Sequence, residues 1–130
     1  MDWAQEATVK EIQNLADIIS LHLPLTDETH HYIDHNFIQS CHKNVIIINT
    51  ARGKNIKTQA LIDGLKTGKV IGAGLDVFEN EKPHTFTESE KAMYQTLYQM
   101  NNVILSPHVA GWTVESKYKI AKTLLDKIFE

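Results

Sequence analysis

Apolar residues along this chain fall into four short bursts separated by longer amphipathic stretches. The bursts are "DIISL" at 17–21, "VIII" at 45–48, "VIGAGL" at 70–75 and "VIL" at 103–105. Each is β-branched and closed by proline, glycine or polar residues, which favours strands near 17–21, 45–49, 70–75 and 103–106 over helices. None alternates apolar with polar residues. That predicts a sheet covered on both faces, as parallel sheets are.

The stretches between the bursts carry helical spacing and helical punctuation. "TVKEIQNLA" brings Val9, Ile12 and Ala16 onto one side. "DHNFIQSCH" opens on Asp34, a good N-cap. "TQALIDGLKTG" runs from a Thr58 cap, with Ala60, Leu61 and Leu65 inward, to Gly68 as its stop. "TESEKAMYQTLYQM" has Thr87 and Glu90 at the spacing of a capping box, with Tyr94, Leu97, Tyr98 and Met100 as its packing side. A last helix is predicted over 113–128. Strand and helix alternate throughout, so the expected architecture is a three-layer, Rossmann-like α/β fold: a parallel sheet with flanking helices.

Composition narrows the classes. With 130 residues the chain suits one domain, and a formal charge of −3 with a pI near 6.1 speaks against a nucleic-acid surface. No apolar run approaches the roughly 20 residues of a membrane helix, and the first residues do not form a signal peptide. The single cysteine, Cys41, cannot form an internal disulfide, which points to a reducing, cytoplasmic setting.

In open parallel sheets, ligands bind beyond the carboxyl ends of the strands. Beyond the four predicted strands lie His22-Leu23-Pro24, Thr50-Ala51-Arg52-Gly53, Asp76 through Glu81, and Ser106-Pro107-His108. A cation, carboxylates and histidines therefore meet along one rim. Arg52 can grip a carboxylate through two parallel hydrogen bonds. His108 can carry a proton near neutral pH, and a nearby carboxylate can orient it. Glu79 and Glu81 both qualify for that carboxylate. This set suits acid–base work on a small anionic substrate.

At these residues "ADIISLHLPLTDET", "NTARG", "GKVIGAGLDVFENE" and "NVILSPHVAGWT", in that order and spacing, resemble the D-isomer-specific 2-hydroxyacid dehydrogenases. The resemblance implies an NAD-dependent oxidoreductase moving a hydride between nicotinamide and a D-2-hydroxy or 2-oxo acid. It favours the phosphoglycerate branch and leaves hydroxypyruvate, glyoxylate and D-lactate open. It puts catalysis on Arg52, Glu81 and His108, and cofactor contacts on His22, Leu23, Pro24, Thr29, Thr50, Ala51, Arg52, Asp76 and His108. It also implies a homo-oligomer. NADP remains possible beside NAD, because the sequence contains no G-x-G-x-x-G turn and no ribose-reading acid after one. Residues 1–130 are accordingly expected to be the C-terminal part of a NAD-binding domain. Alone, such a chain should bind dinucleotide weakly, turn over little and self-associate through an apolar first strand. Lys82 follows the catalytic glutamate where the family usually has proline.

Plainer readings stand beside these. Arg52 could be a turn residue, His108 a hydrogen-bonded loop histidine, and Asp76 a turn or cap carboxylate. Leucines flank His22, which could be a packed histidine. His31 and His35 have helical spacing but no completed ligand set, so no metal is expected. Trp112 could close over the rim or staple the last helix. The alternative to an enzyme is a dinucleotide-sensing or dimerisation module on the same fold.

Overall fold

The computed structural model describes residues 4–129. Four parallel strands form one sheet in the order β1-β2-β3-β4: Ile18–Leu21, Val45–Asn49, Val70–Leu75 and Val103–Leu105. Helices α1 (Val9–Leu15), α2 (His35–Ser40), α3 (Thr58–Thr67), α4 (Glu88–Tyr98) and α5 (Val114–Phe129) alternate with them.

Local chemistry sets the helix ends. Thr8 and Glu11 form one capping box, Thr87 and Glu90 another, and Asp34 caps α2 by accepting from the Phe37 N–H at 2.8 Å. Gly68 ends α3 at φ 77°, a left-handed conformation that glycine adopts without a Cβ penalty. The cap of α3 corrects the sequence expectation. Lys57 is the capping residue and Thr58 is the first helical residue, whose N–H donates to the Glu79 carboxylate.

The core lies on one face of the sheet. Ile19, Leu21, Val45, Ile47, Val70, Ala73 and Leu75 are buried beneath Phe37, Ile38, Ala60, Leu61, Leu65, Tyr94 and Leu97. Side chains on a strand alternate between faces, so the intervening residues point the other way. There Ile18, Ile71 and Ile104 are exposed, and Ile46, Gly72, Ile48 and Gly74 are half-buried. Among the described residues no helix covers this second face, so two layers replace the three expected. Uniformly apolar strands signal a need for cover but do not say what supplies it. Tyr98 is 56% exposed, with its ring stacked against buried Tyr94 at 6.1 Å between centroids. The post-β4 helix α5 buries no residue.

Candidate active site

The carboxyl ends of β2 and β3 and the turn after β4 border a cleft of about 550 Å³, lined in part by Arg52, Glu79, Glu81, Lys82 and His108. Two buried asparagines, which the sequence reading missed, hold Arg52 there. Asn49 donates to the Arg52 carbonyl at 2.9 Å and accepts from the Ala51 N–H at 3.0 Å. Asn55 accepts from the Arg52 N–H at 3.1 Å and donates to the Thr29 carbonyl at 3.1 Å. An amide-bearing residue ending an otherwise apolar strand was the available signal. With the backbone fixed, the guanidinium reaches out at the cleft edge, one amine donating to the Ala51 carbonyl at 2.7 Å.

The structure separates the two candidate glutamates. Glu79 is engaged in architecture: one oxygen accepts from the Thr58 N–H at the start of α3, the other meets His31 Nε2 at 2.7 Å. Glu81 instead accepts from the Phe78 N–H at 3.2 Å and meets His108 Nδ1 at 2.9 Å. Glu81 and His108 are both partly exposed, at 40% and 48% of their side chains, so solvent and ligand can reach the pair.

His108 sits at φ 55°, an uncommon conformation for a residue with a Cβ. Asp76 holds that turn. Its carboxylate accepts from Ser106 Oγ and from the Val109 and Ala110 N–H groups, both at 2.9 Å. Asp76 is only 3% exposed. Burial pushes its carboxyl up, but the Ser106 hydroxyl, the two N–H donors and the nearby His108 outweigh that and hold it below the ordinary carboxylate range. In this structure its visible duty is to anchor the histidine-bearing turn.

The remaining expected cofactor residues divide into open and engaged. Thr50 is exposed beside half-buried Ala51, and its hydroxyl has no partner among the described residues. Thr29 is tied down, donating to the Pro24 carbonyl at 2.6 Å and accepting from the Thr26 N–H at 2.8 Å, so it shapes the loop after β1. His22 meets Ser20 Oγ at 2.9 Å, and His22, Leu23 and Pro24 stay at the rim. His35 meets Asp63 at 2.8 Å, and burial raises the Cys41 thiol above its ordinary value. Trp112 is exposed, with the Lys117 ammonium over its ring at 5.6 Å, and it does not line the cleft.

A rim of small side chains with an unengaged hydroxyl and a guanidinium fits the nicotinamide–ribose end of a dinucleotide. For the pyrophosphate the sequence offers no glycine turn.

Comparison with known proteins bears on these features. Residues 2–110 match the family model described as D-isomer specific 2-hydroxyacid dehydrogenase, NAD binding domain. A hydroxypyruvate reductase of Thermotoga maritima is 40% identical over 115 residues, covering 88% of this chain and 36% of that protein. A glyoxylate reductase of Thermococcus litoralis is 41% identical, covering 82% and 30%. The crystal structure of an Aquifex aeolicus D-lactate dehydrogenase complexed with NAD and lactic acid superposes with a TM-score of 0.77 at 35% identity, covering 94% and 39%. The chain thus spans roughly a third of the length of these relatives. Reductases of hydroxypyruvate and glyoxylate and a D-lactate enzyme stand where the resemblance favoured phosphoglycerate.

Proposed function

The chain belongs to the D-isomer specific 2-hydroxyacid dehydrogenases, in their NAD-binding domain, and from that premise we propose that its cleft is the acid–base half of a 2-oxo acid reductase centre. One observation carries the reading: the His108–Glu81 pair, at 2.9 Å, shares its cleft with Arg52.

In this reading Arg52 grips the substrate carboxylate and polarises the adjacent carbonyl. His108 Nδ1 donates to Glu81, which fixes the ring and leaves Nε2 as the atom that exchanges a proton with the substrate oxygen. In reduction Nε2–H protonates the oxygen; in oxidation Nε2 removes that proton. Glu81 balances the imidazolium before transfer, and Asp76 keeps the turn in place. Bound at the Thr50–Arg52 and His22–Pro24 rim, NAD would supply the hydride donor or acceptor. Glyoxylate, hydroxypyruvate and pyruvate are the substrates favoured by the relatives.

The test is an NMR titration of the 130-residue chain with pyruvate and glyoxylate, following the His108 ring. Ring shifts that vanish in Arg52→Gln are expected. Shifts that survive that substitution, or none at tens of millimolar acid, overturn the reading. With NADH, turnover should be slight, because this sequence supplies no pyrophosphate-binding turn. Rapid NADH oxidation would contradict that expectation.

A further inference from the structure

The two buried asparagines that hold the Arg52 turn are bonded differently. The Asn49 side chain bonds within its own turn, to the Ala51 N–H and the Arg52 carbonyl. Asn55, 0% exposed, reaches between segments. Its Oδ1 accepts from the Arg52 N–H at 3.1 Å, while its Nδ2 donates to the Thr29 carbonyl at 3.1 Å and lies 3.5 Å from the Pro24 carbonyl. The Pro24 carbonyl also accepts from the Thr29 hydroxyl at 2.6 Å, so the loop after β1 closes on this one amide. Backbone pairing of the two segments does not need the side chain. The His31 N–H donates to the Lys54 carbonyl, the Ile33 N–H to the Asn55 carbonyl and the Lys57 N–H to the Ile33 carbonyl. What the amide adds is a link between Arg52 and the Pro24–Thr29 loop.

Resting on the reading above, we propose that Asn55 is a positioning residue that couples the dinucleotide rim to the acid-binding arginine. Away from water, an amide bonded to both sides passes a displacement of one to the other, because a shift of either leaves a buried N–H or carbonyl unpaired. Dinucleotide held against His22–Pro24 fixes the Pro24 and Thr29 carbonyls. Those carbonyls fix the plane of the Asn55 amide, and its oxygen then fixes the Arg52 backbone from which the guanidinium extends. Binding at the rim therefore tightens binding of the acid, and by linkage the acid tightens the dinucleotide to the same degree. Asn49, bonded inside one turn, holds Arg52 but transmits nothing.

The test measures the affinity of oxamate, an unreactive isostere of pyruvate, by NMR on the 130-residue chain with and without millimolar NADH. The readout is the ratio of the two affinities, expected to be about fivefold in the parent, at the lower end of coupling between sites. Asn55→Asp keeps an acceptor for the Arg52 N–H but, ionised, has no donor for the two carbonyls, and should bring the ratio to about one. Thr29→Val keeps Asn55 and removes the hydroxyl bond to Pro24. It should lower the ratio partway, and it decides the matter if a carboxylate at position 55 prevents folding. Amide spectra of the core strands check the fold. No enhancement by NADH in the parent, or a parent-like ratio in either folded variant, overturns the inference. So does a variant that weakens oxamate and NADH separately while keeping their ratio, since that is loss of structure alone. Oxamate that fails to move the His108 ring, or that still does so in Arg52→Gln, is a different failure, which removes the acid-binding reading itself and this inference with it.

Discussion

The segment from β1 to β4 and the arm beyond it, Ser106 to Phe129, are built differently. The first buries a continuous core beneath α2, α3 and α4, down to residues such as Ile33, Ile47 and Leu97 at 0% exposure. In the second no residue is buried; Val114, Tyr118, Ile120, Leu124 and Phe129 are all more than half exposed. Yet His108 belongs to the arm, while Arg52 and Glu81 belong to the packed segment. The candidate centre is therefore assembled across a boundary between a rigid body and a lightly held one. At that boundary the structure places a buried carboxylate, Asp76, which ties down the arm's first turn. Rigidity of the packed segment fixes two members of the site; a local clamp fixes the third.

The largest test of this contrast is in the core. Ile47→Ala should cost roughly 2–5 kcal/mol in urea unfolding, because a 0% exposed isoleucine on the central strand leaves a cavity. A loss under about 1 kcal/mol would mean that the core relaxes freely and is no stiffer than the arm.

A smaller loss is expected at Gly53. A Cβ there would lie 1.8 Å from the Phe78 carbonyl oxygen and 2.6 Å from the Glu79 nitrogen, all backbone atoms that cannot swing aside. Gly53→Ala should cost about 1–3 kcal/mol and separate the Arg52 turn from the Glu81 loop. Gly74→Ala, on the uncovered sheet face, would meet only isoleucine side-chain carbons at 3.9 and 4.0 Å, and should fall within about 0.5 kcal/mol of the parent. Equal losses at the two glycines would remove the distinction between a packed and an open surface.

Much of this was legible in the chain itself. Short β-branched runs gave the strands, and Asp34, Thr87 and Gly68 marked helix ends, because a cap is a local event among residues a few positions apart. Arg52, Glu81 and His108 reach one cleft because each follows a strand of one parallel sheet. What stayed hidden was non-local. The Glu79 oxygens are claimed by Thr58 and His31, and the Asp76 oxygens by Ser106, Val109 and Ala110, partners 21 to 48 positions away. No spacing rule encodes such pairs. The bare sheet face was hidden for the same reason: apolar character at Ile46 and Ile48 is visible in the sequence, but the identity of a covering layer is not.

Asp76 gives the next effect. Asp76→Asn replaces an acceptor by an amide N–H facing the Val109 or Ala110 N–H, and should cost about 1–2 kcal/mol. Hydrogen exchange at those two amides should quicken while Ile47 keeps its protection. The pH dependence has a defined sign. A carboxyl held below its ordinary value stabilises the fold above the unfolded-state pKa of about 3.9, and that contribution is lost as pH falls through the lower folded value. The stability gap between parent and Asp76→Asn should therefore be constant near neutral pH and close only in strong acid. A gap that closes between pH 6 and 7 would point to histidine as the titrating group and displace Asp76 as the anchor.

The smallest expected change is on α5, and it probes the comparison most directly. Leu124 and Ile128 are 59% and 62% exposed, and the helix contributes no residue to the core. Replacing both by serine should leave the urea unfolding free energy of the packed segment within about 0.5 kcal/mol of the parent, since neither side chain leaves a cavity or strands a polar group. The same variant should reduce concentration-dependent association in sedimentation, because it breaks up an apolar stripe that water otherwise surrounds. A loss above about 1 kcal/mol at low protein concentration would show that α5 contributes to the stability of the folded monomer, with the bare sheet face carrying Ile46, Ile48, Ile71 and Ile104 as the surface available to it. The arm would then belong to the core, and His108 would be held by packing as well as by Asp76.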